Sequence, residues 1–210
     1  MATRLARLDV ARYIDPMNAI PKLAPGEGLT IAEFLAFTAT RPQEERWELV
    51  EGVPVLNPSP IQTHQLVAAS VVSFLLKQKE AKGASWIPLL GVGTTVPVSP
   101  NSLPQPDVYV QEGAVLDSHV TDDALVIFEV LSRSNRKADR DWRRKVYASV
   151  PNCQHYVTVS LKLPEVIAYD RRSDWQARRL SDLAQSLELA ALGVSMPLAD
   201  IYRYTSVGSG

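Results

Sequence analysis

The chain has 210 residues, 46% of them hydrophobic and 21% charged, a globular composition that excludes general disorder and leaves enough apolar mass for a core. Its 22 basic and 23 acidic residues leave a net charge of −1, so any contact with nucleic acid has to be local rather than spread over a basic surface. With Cys153 as the only cysteine, an internal disulfide and a four-cysteine zinc site are excluded, and without a long apolar run or a signal-like N-terminus a soluble cytoplasmic protein is expected.

Residues 1–27 carry scattered Pro and Gly without periodicity and read as an arm. Thr30-Ile31-Ala32-Glu33 has the spacing of a capping box and opens a short helix. Trp47–Val50 and Val53–Leu56, joined by Glu51-Gly52, predict a tight hairpin, with Pro54 placing the second strand at an edge. From Gln62 to Lys82 apolar residues recur at three- and four-residue steps (Leu66, Val67, Ser70, Val71, Phe74, Leu75), and Gly83 ends the helix. Short extended pieces are expected at Trp86–Leu90 and Thr94–Val98. The Pro-rich loop Ser99–Pro106 leads into Asp107-Val108-Tyr109-Val110. Ala124–Leu131 is apolar except for Glu129, the pattern of a central strand buried on both faces. A helix over Asn135–Ser149 follows, then strands at His155–Ser160, Glu165–Tyr169 and Trp175–Leu180. Short apolar stretches run from Leu187 to Tyr204, with a turn at Ala199–Tyr202. No repeat and no internal boundary is visible. The order of elements predicts an α/β (α+β) fold with a mixed central sheet, one domain over residues 28–205 and a tail over 206–210.

Glu129 is the residue that needs a reason, because a carboxylate in an apolar strand is costly unless paired, hydrogen-bonded or bound to a cation. A glutamate that reaches solvent at the strand end, or one paired with an arginine, is the plain alternative. Asp107 opens another apolar strand; its plain reading is a turn aspartate after proline. If the two strands pair, both carboxylates converge at one sheet edge, the usual way to hold a hydrated magnesium ion.

Between Arg133 and Lys145 stand Arg133, Arg136, Lys137, Arg140, Arg143, Arg144 and Lys145 against Asp139 and Asp141. An apolar stripe is expected at Ala138, Trp142, Val146 and Ser149. At about 100° per residue, Arg143 shares a helix flank with Asp139 and Tyr147, and Lys145 lies about 160° away. Lys137, Arg140 and Arg144 fit a solvated face, and the stretch is basic enough to meet phosphates, with Arg133, Arg136 and Arg140 as the candidates. Glu48 and His64, each taken alone, read as surface or capping residues. Cys153 and His155 are expected on one strand face as core. No nucleophile elbow, phosphate-binding glycine loop or dinucleotide fingerprint is present.

Trp47-Glu48-Leu49-Val50-Glu51-Gly52, Pro58-Ser59-Pro60 with His64, Pro106-Asp107-Val108, Phe128-Glu129-Val130-Leu131-Ser132, then Asp139, Tyr147 and Gln154-His155-Tyr156-Val157 resemble, in kind and order, the Uma-two family of restriction endonucleases over roughly residues 28–205. The resemblance implies the PD-(D/E)XK nuclease fold and metal-dependent hydrolysis of DNA phosphodiesters. Asp107, Glu129 and the Val130 carbonyl would hold magnesium or manganese, and Glu48 and His64 would assist. Nucleases of this class often pair to cut both strands, which suggests a homodimer. Leu131 stands where the superfamily motif places lysine. The family pattern of Asp, Lys and Tyr at four-residue steps reads here Asp139, Arg143, Tyr147. Arginine keeps the charge but holds its proton at any working pH, so Arg143 is the candidate cation and Lys145 its alternative. Two other readings stay open: a nuclease fold kept for binding nucleic acid or a protein partner with catalysis weakened or lost, and hydrolysis of another phosphodiester.

Overall fold

The computed structural model describes residues 28–114, 117–131 and 137–207; the expected arm over 1–27, with Arg133 and Arg136, lies outside them. The chain divides into two units that the sequence does not signal. The first runs to Ser59 and takes in Pro100–Leu103, and the second holds Pro60–Ser99 and everything from Pro104 onward.

The first unit begins with helix α1 (Ile31–Thr38) behind the expected capping box: Thr30 Oγ1 accepts from the Glu33 amide, and Glu33 Oε2 accepts from the Thr30 amide at 2.9 Å. Its buried face is Phe34 and Phe37, and Phe37 stands edge-on to Trp47 at 5.0 Å. Strands β1 (Arg46–Val50) and β2 (Val53–Asn57) form the predicted antiparallel hairpin, which places Glu48 opposite Val55. Glu51 and Gly52 turn it with φ of 49° and 81°, the primed-turn geometry whose twist matches paired strands.

In the second unit, α2 (Gln62–Lys82) ends on Gly83 in the left-handed region. The chain continues through β3 (Ile87–Leu90), β4 (Gly93–Thr94), β5 (Val108–Gln111), β6 (Val120–Thr121) and β7 (Val126–Leu131). Then come α3 (Lys137–Ala148), β8 (His155–Ser160), β9 (Val166–Asp170), β10 (Ala177–Leu180), β11 (Ser186–Leu189), β12 (Val194–Pro197) and α4 (Leu198–Ile201). Six strands build the central sheet in the order β10-β9-β8-β7-β5-β3. The β7–β8 pair is parallel and the other neighbours antiparallel, so the sheet is mixed. Strand alternation splits its side chains between two cores. On one face Val108, Phe128, Val130 and Val157 meet Val67, Val71 and Leu75 of α2; on the other Tyr109, Ile127 and Tyr156 meet Val146 and Tyr147 of α3. No described helix is long and apolar enough to cross a membrane.

Several elements differ from expectation for local reasons. The strand expected at Thr94–Val98 shrinks to β4, since Pro97 has no amide to give a ladder. The strand expected from Trp175 starts at Ala177, because Asp174 and Trp175 both take positive φ and the Gln176 amide closes a turn on the Ser173 carbonyl at 3.1 Å. The β11–β12 hairpin was not anticipated as strands: its alternating buried residues, Leu187 and Leu189 against Val194 and Met196, span too few positions to give a period. In α3 the stripe is rotated: Tyr147 is buried, whereas Ala138 is exposed. Cys153 precedes β8 and packs in the α3-side core rather than sharing a strand face with His155.

Candidate active site

The β5–β7 register pairs Val108 with Phe128. Asp107 immediately precedes Val108 and Glu129 immediately follows Phe128, so both lie at the same end of these adjacent strands. The two carboxylates are held by different helices, Asp107 by His64 of α2 and Glu129 by Arg143 and Tyr147 of α3. Asp107 does not continue the backbone ladder; its carboxylate completes it. Asp107 Oδ2 accepts from the Val130 amide at 2.8 Å. A strand residue turns its N–H and C=O toward the same neighbour, so the Val130 carbonyl is directed to the edge where Asp107 sits. Both acids are shielded, Glu129 to 6% exposure and Asp107 to 12% of its side chain.

Helix α3 supplies the positive charge. Arg143 Nη1 donates to Glu129 Oε1 at 2.9 Å and to the Tyr147 hydroxyl at 3.3 Å. The Tyr147 hydroxyl in turn donates to Glu129 Oε1 at 2.9 Å. Lys145 is exposed on the other flank, so Arg143 is the cation against Glu129. Asp139 is exposed one turn earlier, and Arg140 is half-buried on the same helix. From the first turn of α2, His64 Nε2 comes to 3.2 Å from Asp107 Oδ2. The second unit thus brings together Asp107, Glu129, Val130, Arg143 and His64. Glu48 belongs to the first unit, in the middle of β1, and is buried to 2% rather than exposed as a surface residue would be.

Sequence reasoning gave Tyr147 no role, although the four-residue step from Arg143 was visible and places both side chains over one patch of the helix. It gave no role to Tyr156 either, which is fully buried with its ring centroid 5.4 Å from that of Tyr147. Cys153 is chemically quiet: burial pushes its thiol up to about 12, against the weaker opposing charge of Arg171.

Among the described residues no group of three or more His, Cys, Asp and Glu side chains gathers as a metal cage. Two carboxylates and a backbone carbonyl are all-oxygen donors, and magnesium takes one or two carboxylates and keeps its waters. The residues present fit that ion.

No curated protein matches the chain. A solved structure described as "a putative nuclease belonging to DUF820", from Anabaena variabilis ATCC 29413, superposes on 83% of this chain and 98% of its own with a TM-score of 0.68 at 14% identity. That likeness shows the fold: a mixed central sheet flanked by helices, as in a nuclease. The family model described as "Putative restriction endonuclease" matches residues 31–199, and the chain belongs to that family, Uma2.

Proposed function

We propose that the protein is a divalent-metal-dependent DNA endonuclease of the PD-(D/E)XK type, acting in the cytoplasm on phosphodiester bonds. The observation that supports this reading is the Asp107 carboxylate on the Val130 amide, next in sequence to Glu129, with Arg143 on the Glu129 carboxylate. Asp107, Glu129 and the Val130 carbonyl would hold magnesium or manganese. The ion, when bound, polarises a phosphate and lowers the pKa of its water. His64 holds Asp107 from the α2 side. Arg143 offers charge to the phosphoryl oxygens as they become more negative, and its permanent proton leaves it no part as a base. Glu48 is proposed as an assisting carboxylate. Arg140, with Arg133 and Arg136, would contact the DNA backbone, and a homodimer would cut both strands.

Single-turnover cleavage of plasmid and single-stranded DNA, with magnesium or manganese, tests this. Cleavage should require metal and fall about 100-fold or more on Asp107→Ala or Glu129→Ala, with DNA binding retained because phosphate contacts come from other residues. Arg143→Lys, which places the family residue at the same helical position, should raise the rate at unchanged DNA affinity. A second reading has its own observation. The guanidinium of Arg143 already neutralises Glu129, as it would in a fold kept only for binding. Absence of metal-dependent cleavage in both wild type and Arg143→Lys would select that reading.

A further inference from the structure

We infer that Tyr147 is the positioning residue for Glu129, and that its hydroxyl determines how tightly the Asp107–Glu129 pair binds a divalent cation. The inference takes its meaning from the nuclease reading, but metal binding measures it without cleavage. A phenol has one proton to give and can accept in return. Arginine has only donors, so the Tyr147 proton must go to Glu129 Oε1 while its oxygen accepts from Arg143 Nη1. One carboxylate oxygen therefore receives two donors from residues one helical turn apart, both at 2.9 Å. That fixes the place of Oε1 and leaves the carboxylate little freedom to turn.

The Tyr147 ring is itself fully buried and packs at 5.4 Å on Tyr156, which stacks on Tyr169 at 5.6 Å. The phenol keeps the guanidinium and the carboxylate in one arrangement. A residue present only to fill the core would need the ring and not the hydroxyl, which separates the two roles experimentally.

The test is calorimetric titration with Mn2+ of wild type, Tyr147→Phe and Tyr156→Phe. Both substitutions keep the ring, and thermal unfolding verifies that they fold. The Tyr156 hydroxyl has no hydrogen-bond partner among the described residues, so Tyr156→Phe controls for loss of a buried hydroxyl beside the same site. Tyr147→Phe should bind Mn2+ about 10- to 100-fold more weakly, the usual effect of removing a group that orients a metal ligand, and Tyr156→Phe should match wild type. In cleavage assays Tyr147→Phe should lower kcat with little change in KM for DNA, since the phenol is buried away from any substrate contact. Equal Mn2+ affinity in wild type and Tyr147→Phe overturns the inference even if the enzyme cuts DNA. A wild type that binds Mn2+ but cuts nothing overturns the nuclease reading, and a weaker Tyr147→Phe then still supports the positioning role. A wild type that binds no Mn2+ overturns both.

Discussion

Tyr156 buries a hydroxyl that has no hydrogen-bond partner among the described residues, and an unsatisfied buried hydroxyl costs about 1–3 kcal/mol. Tyr156→Phe should therefore stabilise the protein by about 1 kcal/mol, read as a higher urea midpoint at unchanged slope; an equal or lower midpoint would mean that the hydroxyl is satisfied in solution. His155 presents the opposite case, with both ring nitrogens engaged. Its Nε2 accepts from the Ala191 amide at 3.2 Å, which leaves the proton on Nδ1, 3.2 Å from Asp170 Oδ2. Burial lowers its pKa from the ordinary 6.5, and outweighs the raising effect of Asp170. The unfolded chain thus takes up a proton on this histidine as pH falls below 6.5, before the folded chain does. Stability is greatest above that value and declines below it. His155→Gln should flatten the decline between about pH 7 and pH 5 in urea titrations, and an unchanged pH profile would assign the decline to other groups. At this scale the buried, paired state of Glu129 was legible because charge in an apolar strand has few cheap explanations. The role of Tyr147 was not, because α3 was phased on Ala138, which is exposed, and a one-residue rotation moves Tyr147 from a flank into the core.

Elements were most legible where a local device sets their limits. The capping box at Thr30, the Gly83 stop and the Glu51-Gly52 turn all stand where the sequence placed them, because each is determined by a few adjacent residues. Elements defined by pairing alone, such as β4 with β6 and β11 with β12, are two to four residues long and carry too little periodicity to be read. The two turn glycines also give a graded prediction. Gly83 takes φ of 60° with open space around an added Cβ, whereas at Gly52, with φ of 81°, a Cβ would come within 2.7 Å of the Gly28 Cα. Gly83→Ala should cost only the left-handed strain, about 1–2 kcal/mol. Gly52→Ala adds a backbone collision that no rotamer can relieve, so it should cost clearly more. Urea unfolding of the two variants side by side decides this; equal losses would show that the hairpin yields to the intruding methyl group.

For the whole molecule, the mixed sheet followed from the alternation of apolar runs with helical periods, and the two-sided burial of β7 from its unbroken hydrophobicity. The division of the chain into two units could not be read, because Pro100–Leu103 belongs with the hairpin through the Leu49–Leu103 bridge, a long-range pairing that no local pattern announces. The net charge of −1 constrains the proposed DNA contact in a way that can be measured. A protein without overall positive charge must bind through a few phosphates, and each one neutralised contributes about −0.9 to the slope of log affinity against log salt. Arg140 stands half-buried on α3, the helix that carries Arg143, one turn before Arg144. If it meets a phosphate, Arg140→Ala should weaken binding of unrelated duplexes alike and make the slope shallower by about one unit. Glu129→Gln should act in the other direction when metal is absent, because it removes a negative charge facing the phosphate, and should tighten binding most at low salt, where screening is weakest. Fluorescence anisotropy of a labelled duplex from about 50 to 200 mM salt, without metal, measures both effects. An unchanged slope in Arg140→Ala would remove that arginine from the interface, and unchanged affinity in Glu129→Gln would mean that DNA does not approach the carboxylate pair at all.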